Sequence, residues 1–207
     1  MQNATVERLV KIISEPERGD GSNGNKRFRP RKPTIQIHLG MAEGWFSLFL
    51  LATVVYSTIW CVQAAEWVAN LNILSLTTAL GLIAGVIAAK QRRLSRAVTH
   101  LIAIVFGILL AFWQTAGADH AGSTTAFAAA LQHWISIALV GGSSNDDSIF
   151  LFFITALGFI LAYTSAWLVY RTRSPWLVIL ANAVVLLINL SNIPDGYIVF
   201  LVVFLIA

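Results

Sequence analysis

Beyond residue 43 the chain alternates between long apolar runs and short polar or charged segments. The runs at 45–64, 71–89, 97–116, 149–169 and 176–192 each have the length of a membrane-crossing helix. A hydrocarbon core of about 30 Å takes about 20 residues at a rise of about 1.5 Å each. The run 149–169 holds 21 residues without a charge and is the clearest of the five. A sixth run starts at Gly196 and has reached 12 residues at Ala207, so an incomplete span is expected there. The pattern predicts an all-α polytopic membrane bundle over residues 44–207, with five complete spans and a truncated sixth.

Residues 124–140, TTAFAAALQHWISIALV, follow a different rule. Phe127, Leu131, Trp134, Ile135, Ala138 and Leu139 recur at helical spacing, while Gln132, His133 and Ser136 fall off that stripe. This predicts an amphipathic helix lying on the outer membrane surface. Gly141 and Gly142 are expected to stop it, and residues 143–147 to turn the chain and cap the span that follows. Counting it as a span would move Arg171 and Arg173 to the outside.

Charge orients the runs, because Lys and Arg are retained on the cytoplasmic side. Eight of the 14 Lys and Arg residues precede the first run, Lys90, Arg92, Arg93 and Arg96 lie between the second and third, and Arg171 and Arg173 lie between the fourth and fifth. Glu66, Asp119, Asp146, Asp147 and Asp195 fall in the alternate segments, which carry no Lys or Arg. All the basic residues therefore fall inside and the N-terminus is cytoplasmic. Trp45, Trp60, Trp67, Trp113, Trp134, Trp167 and Trp176 lie near span ends or in interfacial segments, where an amphipathic indole is favoured.

Residues 1–43 offer little apolar surface and much Gly, Asn, Pro, Lys and Arg, a composition that predicts a disordered basic cytoplasmic tail. The 43 polar residues before the first run, and the lack of a small-residue cleavage pattern after it, predict an uncleaved anchor. Composition agrees with the membrane reading: 57% of residues are hydrophobic, 12% are charged and the mean hydropathy is +0.73, whereas soluble domains carry about 25% charge. The net charge of +4 is gathered beside the spans, so the expected partner is the bilayer, with anionic headgroups at its inner face, and not nucleic acid.

Candidate chemistry is sparse. Gly81, Gly85 and Ala89, then Ala103, Gly107 and Ala111, then Gly158, Ala162 and Ala166, recur four apart in three spans and mark faces where helix backbones approach closely. Asn182 and Asn189 are the polar candidates within the fifth span, with interhelical hydrogen bonding as their expected use. His100, His120 and His133 are expected to be interfacial or solvated. The single cysteine, Cys61, lies in an apolar run that would keep it a protonated, inert thiol. No metal-ligand spacing, phosphate loop or catalytic motif appears, so no catalytic, cofactor or metal residue is assigned.

Three segments resemble a known family. EGWFSLFLLATVVYSTIWCVQAAEWV at 43–68, ALVGGSSNDDSIFLF at 138–152 and above all SAWLVYRTRSPWLVILANAVVLLINL at 165–190 are similar to the N-terminal multi-span domain of bacterial transglutaminase-like membrane proteins, the TgpA-type protein-glutamine gamma-glutamyltransferase relatives. The resemblance implies a bundle in the bacterial inner membrane that carries an extracytoplasmic domain with a Cys-His-Asp triad. Those catalytic residues have no counterpart in this sequence. The expected function is thus membrane anchoring for an extracytoplasmic domain missing from this chain, or for a partner protein, and the chain itself is not expected to be an enzyme. A small transporter or channel subunit using Asn182, Asn189 and the Gly81–Gly85 face is the alternative, and a structural membrane scaffold is a third.

Overall fold

One helix holds the fold together. Residues 147–167 are apolar around the whole circumference, and such a helix has no face to give to water, so it is buried on several sides at once. The computed structural model describes residues 44–142, 146–192 and 197–207. The expectations for the tail at 1–43 and for the turns at 143–145 and 193–196 lie outside the described residues.

Seven α-helices follow in order among the described residues: α1 (Gly44–Ala64), α2 (Ile73–Lys90), α3 (Arg96–Asp119), α4 (Thr124–Leu139), α5 (Asp147–Trp167), α6 (Pro175–Leu190) and α7 (Ile198–Ile206). Local signals set their ends. Ser95 accepts from the Val98 N–H at 3.3 Å, Ser123 from the Ala126 N–H at 3.2 Å and Asp146 from the Ser148 N–H at 3.0 Å, so each satisfies a donor that a helix start leaves open. At the end of α4, Gly141 adopts φ +78° while the Gly142 and Gly141 N–H groups donate to the Ile137 and Ala138 carbonyls, a glycine stop of the Schellman type. Helix α5 runs on into a single π turn, Leu168–Thr172, which ends at Arg173 in the left-handed region (φ +56°), and Pro175 opens α6.

Four of these helices are long and apolar enough to cross a membrane: Trp45–Ala64, Ile73–Lys90, Arg96–Asp119 and Asp147–Thr172. Helix α6 has 16 residues and α7 has nine.

Helix α5 contributes to all three apolar clusters. Leu151, Ala162 and Ala166 join the cluster built with α1, α2, α6 and α7; Ile149, Phe152 and Ala156 meet α3 and α4; Phe159 and Tyr163 meet Ala88 of α2 and Ala103 of α3. Its most extensive partner is α2. In α4, Phe127 is fully buried and Leu131 and Trp134 pack beside it, but Ile135, Ala138 and Leu139 are exposed. Helix α4 thus meets the bundle through Phe127, Leu131 and Trp134 and leaves the end of its apolar stripe facing outward.

Charge is sorted by end. Arg171 Nη1 donates to the Ala89 carbonyl at 3.4 Å, which brings the basic segments 90–96 and 171–173 together. Asn70 Nδ2 donates to Asp119 Oδ1 at 2.7 Å at the other end. Ala111 and Ala116, late in α3, cluster with Ile149, early in α5, so α4 begins and ends at the acidic end of the bundle.

The surface is inverted relative to a soluble protein. Ile83, Ile87, Leu101, Leu109, Leu157 and Leu180 are all more than half exposed, while Thr58, Thr77, Thr78, Thr115, Thr155 and Asn182 are fully buried. Scattered exposed apolar residues are ordinary, but contiguous apolar faces on several helices are the mark of a surface that meets something other than water.

Candidate functional site

The residues with an identifiable job lie along the seam between α2 and α5 and in the polar contacts on either side of it. A side chain on Gly81 would bring its Cβ to 2.8 Å from the Phe159 carbonyl oxygen and 3.0 Å from Ala162 Cβ; one on Gly85 would lie 2.5 Å from the Tyr163 carbonyl oxygen and 2.6 Å from Ala166 Cβ. These are distances at which only a hydrogen fits, and they let the two backbones touch. Gly107 of α3 faces the Phe159 ring, which a Cβ there would overlap, and Ala103 packs in the same cluster as Phe159 and Tyr163. The structure thus brings Gly81, Gly85, Ala103, Gly107 and Ala162 together around the middle of α5. Gly158 stands apart: a Cβ would meet nothing closer than Ile59 Cδ1 at 3.7 Å, an ordinary contact.

Buried amides tie the remaining helices to this seam. Asn182 Nδ2 donates to Ser165 Oγ at 3.2 Å and to the Val178 carbonyl at 2.9 Å, joining α6 to α5. Asn189 Nδ2 donates to the Cys61 carbonyl at 2.7 Å and to Cys61 Sγ at 3.1 Å, joining α6 to α1. Gln114 Nε2 donates to Thr77 Oγ1 at 2.8 Å and joins α3 to α2. Sequence reasoning missed Gln114, although its position three residues past Ala111 and seven past Gly107 continues the small-residue face of α3.

Two of the three histidines make ring contacts that the sequence does not announce. His100 is half-buried, its Nδ1 lying 2.7 Å from Tyr163 Oη and its ring edge-on to Trp167, because Tyr163 sits one helix away at the same height. His120 packs against the Phe127 ring and its Nε2 is buried. His133 is exposed.

No protein-family model, curated protein or solved structure matches this chain.

The chemistry of the site is that of packing and hydrogen bonding. A nucleophilic thiol needs a base within hydrogen-bond reach, and Cys61, fully buried, has an asparagine amide there. Among the described residues no group of three His, Cys, Asp or Glu side chains can hold a metal ion. A groove of ≈ 440 Å³ opens between α1, α2, α5 and α6, but its walls are apolar, with Ile59, Leu74, Leu157, Leu161 and Val185 among them. Asn189 and Thr164 are the polar residues lining it. Removing an interhelical amide inside a membrane bundle costs about 0.6 to 1.7 kcal/mol. Asn189→Leu is therefore expected to lower unfolding stability in bicelles by that amount while leaving helix content unchanged; no loss would mean that the Cys61 contact is idle.

Proposed function

We propose that the chain is the membrane-embedded base of a multi-pass protein of the bacterial inner membrane, with its N-terminus in the cytoplasm, five spans, the further apolar helix α7, and α4 lying at the outer interface. The observation that carries this reading is the inverted surface, on which large apolar side chains cover the outside of the bundle while threonines lie inside and Gln114, Asn182 and Asn189 bond to neighbouring helices. In hydrocarbon such polar side chains bind helices together. The sorting of charge supports the orientation: Lys90, Arg92, Arg93, Arg96, Arg171 and Arg173 belong to the end that faces the cytoplasm, and Glu66, Asp119, Asp146 and Asp147 to the opposite end. Helix α6, at 16 residues, is about 24 Å long and crosses with its flanking polar residues at the two interfaces.

The base anchors an extracytoplasmic partner, and the resemblance of segments 43–68, 138–152 and 165–190 suggests that the partner is a transglutaminase-like domain. Anchoring needs a rigid bundle and no reactive group. A transporter instead needs ionisable or strongly polar groups along a path; the Nδ2 groups of Asn182 and Asn189 are given to helix-to-helix bonds, while their Oδ1 atoms are buried without a partner among the described residues. Purified chain reconstituted in proteoliposomes is expected to show neither acyl transfer nor solute flux. Turnover abolished by Cys61→Ala, or a flux abolished by Asn182→Leu or Asn189→Leu, would replace anchoring with catalysis or transport.

A further inference from the structure

Helices α2 and α5 run side by side in a register that advances by four residues on each: Gly81 meets Ala162 and Gly85 meets Ala166. Continued, that register would set Tyr170 opposite Ala89. The π turn Leu168–Thr172 intervenes, and Arg171 reaches the Ala89 carbonyl instead, at 3.4 Å. One extra residue in the turn rotates the following side chains by about 100°, so the turn exchanges a phenol for a guanidinium at this point. The next residue of α2 is Lys90, half-buried, whose Nζ is buried without a hydrogen-bond partner among the described residues. An ammonium taken out of water with no acceptor, next to a residue that receives a guanidinium, is a costly arrangement unless an anion joins it. Neither 90–96 nor 168–174 contains a carboxylate.

We propose that Lys90 and Arg171 together hold the phosphate of an anionic phospholipid headgroup at this end of the bundle. Lysine supplies a compact charge, and the guanidinium keeps N–H groups beyond the one given to Ala89 for phosphate oxygens. A lipid rather than a soluble phosphate fits the location: the pair lies where two membrane-crossing helices end, and Trp167 and Trp176 flank Arg171 in the sequence, as at headgroup depth. The proposal rests on the bilayer-spanning reading above.

Its test is phospholipid retention. The full chain is reconstituted in equal parts phosphatidylcholine and phosphatidylglycerol, extracted in mild detergent and weighed by native mass spectrometry. Phosphatidylglycerol should be retained about tenfold over phosphatidylcholine, and Lys90→Gln and Arg171→Gln should each remove that preference, since each deletes a charge-assisted hydrogen bond. Lys90→Arg should keep it, as should Arg92→Gln and Arg93→Gln, which alter exposed charges. Circular dichroism checks that each variant is folded. Unchanged retention in folded Lys90→Gln and Arg171→Gln would overturn the site, and so would equal loss in the Arg92 and Arg93 variants, which would indicate diffuse attraction. Displacement of the lipid by millimolar inorganic phosphate would overturn the assignment to a headgroup. Retention is read after extraction, so its failure leaves the bilayer reading standing, whereas a chain that does not enter vesicles contradicts both.

Discussion

Leu109→Lys is expected to cost about 2.5 to 3.5 kcal/mol of insertion free energy, the price of a lysine at the centre of a membrane-crossing helix. Leu109 lies in the middle of α3 and is 61% exposed. In a soluble protein a substitution at so exposed a position changes stability by about 0.5 kcal/mol or less and improves solubility. The two environments therefore predict opposite outcomes for one side chain. Leu94→Lys is the control, since Leu94 is exposed in the basic turn between α2 and α3 and should tolerate the charge at no cost. Insertion measured by glycosylation mapping of α3 should fall for Leu109→Lys and not for Leu94→Lys. Equal behaviour of the two variants would mean that the exposed apolar face of α3 meets protein or water instead of lipid.

Gly85→Val should have the largest effect on packing. The first added carbon already lies 2.5 Å from the Tyr163 carbonyl oxygen, and a carbonyl in a helix cannot swing aside as a side-chain tip can. Overpacking of this kind costs about 1 to 3 kcal/mol, and valine's second and third carbons place it at the upper end. Helices α2 and α5 would have to separate, and separation would also stretch the Arg171 contact with Ala89. Gly158→Ala makes the comparison internal: the first added carbon, in the same bundle, meets its nearest atom at 3.7 Å instead of 2.5 Å, so unfolding stability should move by no more than about 0.5 kcal/mol. Equal losses at both positions would mean that the seam is not closely packed.

Much of this architecture is legible in the apolar runs. The centrality of α5 follows from its being apolar on every side, and the helix stop at Gly141 and the start at Pro175 follow from residues with fixed conformational habits. The four-residue spacing of Gly81 and Gly85, and of Ala162 and Ala166, announces close approach but not the partner, because any small-residue face complements any other. The π turn has no signature in LVYRT, whose residues suit an ordinary helix equally well; it becomes visible only when the register of α2 against α5 is followed to Arg171. The bond of His100 to Tyr163 is invisible in the sequence because the two are 63 residues apart. The helix of α4 is legible in its apolar stripe, but which part of the stripe meets the bundle is not: Phe127 is fully buried and Leu139 is 82% exposed.

The central claim is that the bundle crosses a membrane with its basic end in the cytoplasm. Cysteine accessibility tests it most directly: on a Cys61→Ala background, Ser174→Cys lies beside Arg173 at the basic end, and Thr125→Cys lies at the start of α4. In intact cells a membrane-impermeant maleimide is expected to label the Thr125→Cys protein and spare the Ser174→Cys protein until the membrane is opened. Labelling of both positions from the outside, or of Ser174→Cys alone, would contradict the topology.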